Sequence, residues 1–331
     1  MKNQEVIKKV EDEFSADIYL HNGPIDHPFD DVLRAKCACN RAHDNAILVL
    51  VTYGGSASSA YRMARAFQKC YKKVIVVVPT QCKSAGTLIA IGAHEIYMSP
   101  FAELGPLDVQ LGKRDEIFEQ ESGLAVSGAL DALQEKSFQL LEHVLLTLRA
   151  RSGFQISTPS ALETAEKLAI GLYAPIYGQL DPVRIGEIAR SLLIASDYGE
   201  RLNQYATNLK DGALVRLVHG YPSHDFVIDF EEARTLFNRI SLLTPSLEQL
   251  MVMLGQSVQH VAMDERTIQV RCLSQEFSAV AEEVDGKQEG EANVSQSQSG
   301  PDKRAGEGEG TKAIEPTPTQ EVEFAAPTNG K

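Results

Sequence analysis

Two short turns hold the residues of this 331-residue chain whose types and spacing suit covalent chemistry. The first is "TYGGSAS" (Thr52 to Ser58), which follows the apolar run "NAILVLV". The second is "CKSAGT" (Cys82 to Thr87), which follows "KVIVVV" and Pro79 and opens a mostly apolar stretch. A serine hydroxyl attacks a carbonyl only when a base takes its proton and fixed donors meet the charge that appears on the oxygen. Ser84 supplies such a hydroxyl. If the two turns are neighbours, the N–H groups at Gly54 or Gly55 and at Ala85 can converge beside it as an oxyanion hole. Each such donor is worth about 3–4 kcal/mol in the transition state. Two plainer readings stand beside this one. Serine is a preferred helix N-cap, and a glycine pair is often only a tight turn.

The elements around these turns must bring them together. "ADIYLHNG", "NAILVLVTYGG", "KKVIVVVP" and "HEIYMSP" read as strands. "SASSAYRMARAFQKC" and "KSAGTLIAIGA" read as the helices between them. Strand, helix, strand, helix, strand at this spacing predicts right-handed crossovers and a largely parallel sheet covered by helices. The turns then lie at the C-terminal ends of consecutive strands, the functional edge of such a sheet. An amphipathic helix is expected over residues 1 to about 15. One long helix is expected over Ser127 to Gly153, with Leu130, Leu133, Phe138, Leu141, Val144, Leu145 and Leu148 on its apolar stripe. "TPSALETAEKLAIGLYAP" and "VRIGEIARSLLIASDYGERLNQYATNLK" add two more helices, and "HDFVIDFEEARTLF" reads as a strand running into a helix.

Composition excludes several classes. The formal net charge of −13 argues against a nucleic-acid backbone as the main partner. No G-x-x-x-x-G-K-[ST] or G-x-G-x-x-G run follows a strand, so a nucleotide cofactor is not expected. The five cysteines form no pair of zinc-type doublets, and "CAC" (Cys37 to Cys39) lacks a second cluster. Neither metal nor cofactor is expected. The odd cysteine count suggests reduced thiols in a cytoplasmic setting. The charged N-terminus does not read as a signal peptide, and no run reaches the ~20 apolar residues of a membrane helix. Residues 1–280 are expected to form one folded domain. Residues 281–331, rich in Gly, Ser, Gln, Glu and Pro, are expected to be a disordered acidic tail.

"TYGGSASSAYRMARAF", "KSAGTLIAIGAHEIYMSPFAELGPLDVQ" and "LYAPIYGQLDPVRIGEIARSL" together resemble the serine dehydrogenase proteinase family. That group of Clp/crotonase-fold proteins is related to signal-peptide peptidase A and to the membrane-linked Ser–Lys proteases of prokaryotes. The similarity runs from about Ala16 to about Leu243. It implies the superhelical ββα architecture of that fold and a serine peptidase acting on a peptide or protein. Relatives often carry a membrane helix, and since this chain shows no such run the peptidase is expected to be soluble. It also implies self-association through the helices, as rings or stacked trimers.

The resemblance places Ser84 at the nucleophile position and Gly54, Gly55 and Ala85 at the oxyanion turns. Where the family carries a proline before the glycine pair, this chain has Tyr53. The segment that holds a histidine in Clp-type proteases reads "ELGPLDVQ" here. Asp108 occupies it, and a carboxylate is a weak base for an alcohol. The Ser–Lys relatives use a lysine at the start of the long helix, and Lys136 lies near that position. A lysine acts so only where burial depresses its pKa. Lys83 and Lys113 are competing amines, with the side chain of Lys83 expected to point away. His94 is expected to be structural or exposed. His224 with Asp229 would form a relay if "YPSHDFVID" folds back over the site. The alternatives are a catalytically silent oligomeric scaffold of the same fold and, behind it, an acyl-CoA enzyme.

Overall fold

The computed structural model describes residues 2–39, 41–107, 110–112 and 120–277. From the N-terminus come α1 (Lys2–Phe14), β1 (Ala16–Asn22), α2 (Phe29–Cys39), β2 (Asn45–Val51), α3 (Ala57–Cys70) and β3 (Lys73–Val78). The short β4 (Gln81–Cys82) leads into α4 (Ala85–Ile91), followed by β5 (Glu95–Met98) and β6 (Glu103–Leu104). An antiparallel pair, β7 (Gln110–Gly112) and β8 (Gln120–Ser122), precedes α5 (Gly123–Arg151), α6 (Thr158–Tyr177) and α7 (Pro182–Ala206). Then come α8 (Ala213–His219), α9 (Phe230–Leu236), β9 (Ile240–Leu242), α10 (Pro245–Leu254), α11 (Gln256–Gln259) and β10 (Gln269–Cys272).

The main sheet has the order β10-β1-β2-β3-β5-β9. Every pair from β1 to β9 is parallel, and β10 closes the β1 edge antiparallel. This is the largely parallel, helix-flanked sheet that the strand–helix alternation predicts. The continuous apolar runs of β2 and β3 follow from burial on both faces. Leu48, Leu50, Val76 and Val78 pack with Met63 and Phe67 of α3 and Leu88 of α4. Ile47, Val49, Ile75 and Val77 pack with Ile7 and Val10 of α1 and Leu247 and Leu250 of α10.

Two expectations change. "HDFVIDF" is not a strand: Asp229 caps α9, and before it only Ile228 pairs, in an isolated antiparallel bridge with Leu104. The α5 stripe is only half-buried, and its Phe138 is 69% exposed, because α5 packs mainly against α6 rather than against the sheet. The edge strands β9 and β10 are short and carry Ser, Gln and Arg, so they lack the apolar signature of the central strands. The 281–331 segment lies outside the described residues. Among those described, no helix is long and apolar enough to cross a membrane.

Candidate active site

β2 ends into Thr52, and the chain then runs through Tyr53, Gly54 and Gly55 to Ser56, whose hydroxyl caps α3. β4 runs beside this exit. Thr52 pairs with Cys82 in a parallel bridge, its amide donating to Gln81 O (2.8 Å) while Lys83 N donates to Thr52 O (3.0 Å). The two turns are therefore neighbours, as the oxyanion-hole reading requires. Their approach is close: a Cβ added to Gly54 would lie 2.9 Å from Ser84 Cβ and 3.4 Å from Ala85 N. Gly54 and Gly55 adopt φ of +115° and +144°, a region that L side chains rarely enter.

Ser84 stands at the N-cap of α4 but does not cap it. Its hydroxyl makes no capping hydrogen bond, and its backbone sits at φ 49°, ψ −113°. A non-glycine residue held there costs about 1–3 kcal/mol and persists only where the surroundings fix it. The fixing groups are visible. Gly86 N donates to Lys83 O (2.8 Å), and the Thr87 hydroxyl bonds both Cys82 O (3.1 Å) and Gly105 O (2.7 Å). The plain capping reading of Ser84 is thus set aside. The half-buried side chain is left to face a cavity of about 590 Å³ that Gly54, Gly55 and Ala85 also line.

The amides divide unequally. Gly54 N donates to Thr52 Oγ1 (2.9 Å) and is engaged. Gly54 O accepts from Ile25 N (2.8 Å), and Ile25 O accepts from Ser56 N (2.8 Å), so Gly55 N points away from that bridge. Among the described residues neither Gly55 N nor Ala85 N donates to a protein acceptor. Of the three sequence candidates, Gly55 and Ala85 keep free N–H groups at the cavity, and Gly54 serves the turn.

The base candidates also separate. Lys136 is exposed on α5, its amine donating to Gln139 Oε1 (3.1 Å), and it does not line the Ser84 cavity. Within one chain the Ser84–Lys136 dyad is not assembled. Asp108 and Lys113 lie outside the described residues. Lys83 points away as expected, bound to Glu103 Oε2 (2.7 Å). His94 is structural: its Nδ1 accepts from Val74 N (3.1 Å), and burial pushes its pKa down.

His224 does reach the cavity. The loop that carries it is tied down on both sides. Leu104 N donates to Ile228 O (2.9 Å) and Ile228 N to Leu104 O (3.1 Å), while Tyr221 donates to Glu232 Oε1 (2.6 Å). The Nδ1 of His224 is buried and has no hydrogen-bond partner among the described residues. Asp229 is thus not the partner of this nitrogen; its Oδ1 accepts from Glu232 N at the start of α9 (2.9 Å). Part of the remaining cavity wall comes from distant segments, with Ser191, Ile194 and Ala195 of α7 and with Val261 and Met263 beyond α11. No local motif marks these five positions, since their role arises only from packing.

Other nucleophiles and metals fit poorly. Burial raises the Cys82 thiol well above its ordinary range, against a smaller downward pull from Lys83, so it stays protonated. Cys37 is buried and Cys39 exposed, so "CAC" presents no joint ligand pair. His27, Asp30 and Asp31 bring one ligand atom each within 4.8 Å of one another. However, Arg62 already holds Asp30, and Arg34 holds Asp31 at 2.7 Å, so the cluster lacks the excess negative charge that a cation needs.

Known proteins bear on this geometry. Residues 24–119 match the family of ClpP-like SDH-type serine proteinases. Two curated relatives come from Methanocaldococcus jannaschii. Uncharacterized protein MJ0137 is 39% identical over 85 residues, covering 25% of this chain and 29% of its own length. Uncharacterized protein MJ1495 is 29% identical over 142 residues, covering 39% of this chain and 46% of its own. The chain thus spans less than half the length of either. Among solved structures, a mutant of the 1510-N membrane-bound stomatin-specific protease shares 22% identity, covering 45% of this chain and 68% of its own, at a TM-score of 0.27. A likeness of that size adds nothing to the assignment. The stretch that holds both turns and Ser84, residues 24–119, is thus similar to the ClpP-like SDH-type serine proteinases.

Proposed function

We propose that the protein is a serine peptidase in which Ser84 attacks the scissile carbonyl and the Gly55 and Ala85 amides receive the oxyanion. The observation that carries this reading is the state of Ser84. The chain holds it in a strained conformation, uses its hydroxyl for no cap, and packs it against a glycine turn at the mouth of a cavity. Strain of this kind gathers where the surrounding structure has a use for it. The reaction would pass through an acyl-enzyme that water then resolves.

For the general base, His224 is the group of this chain that the geometry favours. It lines the same cavity and keeps a ring nitrogen without a partner. Lys136 can serve only if a second copy delivers it, since its own chain leaves it in solvent. Self-association is in keeping with the apolar surface of α5, α6 and α7, where Phe138, Ile170 and Leu193 are 69%, 65% and 62% exposed. The same surface is what supports the second reading, a scaffold that keeps the fold without the chemistry. The described side chains that line the cavity include no Asp, Glu, Lys or Arg, which suits an uncharged segment of peptide.

A fluorophosphonate probe tests the proposal, because it modifies only an activated serine. The full chain should label, Ser84→Ala should not, and His224→Gln should slow labelling by about 100-fold, within the usual range for general-base loss. Labelling that is insensitive to His224→Gln but lost in Lys136→Ala would return the base role to the lysine. No labelling of the wild-type chain would leave the scaffold reading.

A further inference from the structure

We infer that Thr52 is the positioning residue that couples the two turns and turns the Gly55 N–H toward the site; this rests on the peptidase reading above. Three contacts meet in this one buried side chain and its backbone. Its Oγ1 accepts from Gly54 N at 2.9 Å and lies 3.3 Å from Gly54 O, so the hydroxyl fixes the plane of the turn from inside. Its backbone joins β4 on both sides, through Gln81 O and Lys83 N, so the strand that delivers Ser84 is held at the same residue. Its methyl fills the space that Gly86 leaves open: a Cβ on Gly86 would stand 2.6 Å from Thr52 Cγ2. Thr52 itself is fully buried.

The consequence concerns which amide is available. With Gly54 N spent on the Thr52 hydroxyl, the next amide, Gly55 N, is left without a protein acceptor at the cavity. Without that hydroxyl, Gly54 N loses its acceptor in a buried site. The Tyr53–Gly54 peptide is then free to rotate toward the cavity and compete for the position that Gly55 N holds. Glycine at φ +115° offers little resistance to such a rotation. Thr52 touches no reacting atom; it acts through the donor it orients.

The test compares Thr52→Val, which keeps the methyl and the backbone bonds but lacks the hydroxyl, with Thr52→Ser, which keeps the hydroxyl and lacks the methyl. The wild-type chain and both variants are followed by fluorophosphonate modification rate, by kcat and KM on a peptide ester, and by hydrogen exchange at the Gly54 amide. Thr52→Val should lower the modification rate and kcat by about 100-fold, the scale of one oxyanion donor, with KM unchanged. Its Gly54 amide should exchange faster. Thr52→Ser should recover most of the rate, although it loses the packing against Gly86. A purely structural role would instead make the two variants alike in rate and order them by thermal stability. The inference is overturned if Thr52→Val reacts at the wild-type rate, or if Thr52→Ser is as slow as Thr52→Val. A wild-type chain that never reacts overturns the peptidase reading and this inference with it, so the two failures are told apart by the wild-type measurement alone.

Discussion

Gly54→Ala is the sharpest single perturbation of the site, because the added methyl would land on Ser84, the proposed nucleophile. Its Cβ would lie 2.9 Å from Ser84 Cβ and 3.2 Å from Lys83 O, whereas carbon atoms rest at about 3.5–4.0 Å. Either the turn or Ser84 must therefore give way by roughly 0.6 Å or more. An alanine at φ +115° carries a further cost of about 1–3 kcal/mol. A displacement approaching 1 Å at a reacting group costs about 100-fold in rate. Gly54→Ala should thus slow fluorophosphonate modification by about that factor and lower the melting midpoint by roughly 2–12 °C, at about 2–4 °C per kcal/mol for a domain of this size. Each protein is assayed well below its own midpoint, so that unfolding does not masquerade as lost reactivity. Gly171→Ala is the control. It sits in α6 with nothing within 4 Å of the added Cβ, so it should leave the rate alone and stabilise by up to about 1 kcal/mol. Modification of Gly54→Ala within threefold of the wild-type rate would refute the claim that the glycine turn and Ser84 form one site.

Two further outcomes follow from buried charge. Burial pushes the His21 imidazole down to about 4, against a smaller upward pull from the backbone at Pro24 and Gly23. The unfolded chain therefore binds the proton first as pH falls, so this contribution is complete above about pH 6.5 and is lost on the way down to about 4. Between pH 7 and pH 5 the loss is about 2 kcal/mol, measurable by urea unfolding, and His21→Gln should remove most of that slope. A slope that His21→Gln leaves intact would contradict the assignment. At Asp30, burial works to raise the carboxyl, and the Arg62 guanidinium overcomes it and holds the group below the usual carboxylate range. Arg62→Ala should destabilise by about 2–3 kcal/mol, less than the ~3–5 of a fully buried pair because Arg62 is 43% exposed. It should also raise the Asp30 pKa in an NMR titration; a variant that unfolds at the wild-type urea midpoint would show the pair to be idle.

The central strands and both turns were legible because their physics is local. "NAILVLV" and "KVIVVV" can be buried on two faces only inside a parallel sheet, and the glycine pair and Ser84 follow them directly. The division of labour within the turns was not legible. That Gly54 N is spent and Gly55 N is free depends on the Thr52 hydroxyl, and a threonine after a strand carries no such label. The helix over α5 was legible from its spacing, but periodicity says which face is apolar and not what covers it. Phe138 therefore stood in an expected core stripe and lies in solvent.

The base is where local and non-local information part most clearly. A lysine on a helix can be placed by resemblance, yet whether its amine meets a serine depends on how that helix leans, and here α5 packs with α6, not over the cavity. His224 looked remote, 140 positions beyond Ser84, and its use depended on the loop folding back. Two backbone bonds between Leu104 and Ile228 do that folding, and one of these residues sits on β6, the strand paired with β4. The strand that delivers Ser84 thus also anchors, through one intermediary, the loop that delivers His224. A change that loosened β6 would displace Ser84 and His224 together while leaving the main sheet intact, so on the proposed reading reactivity should be lost well before the fold is.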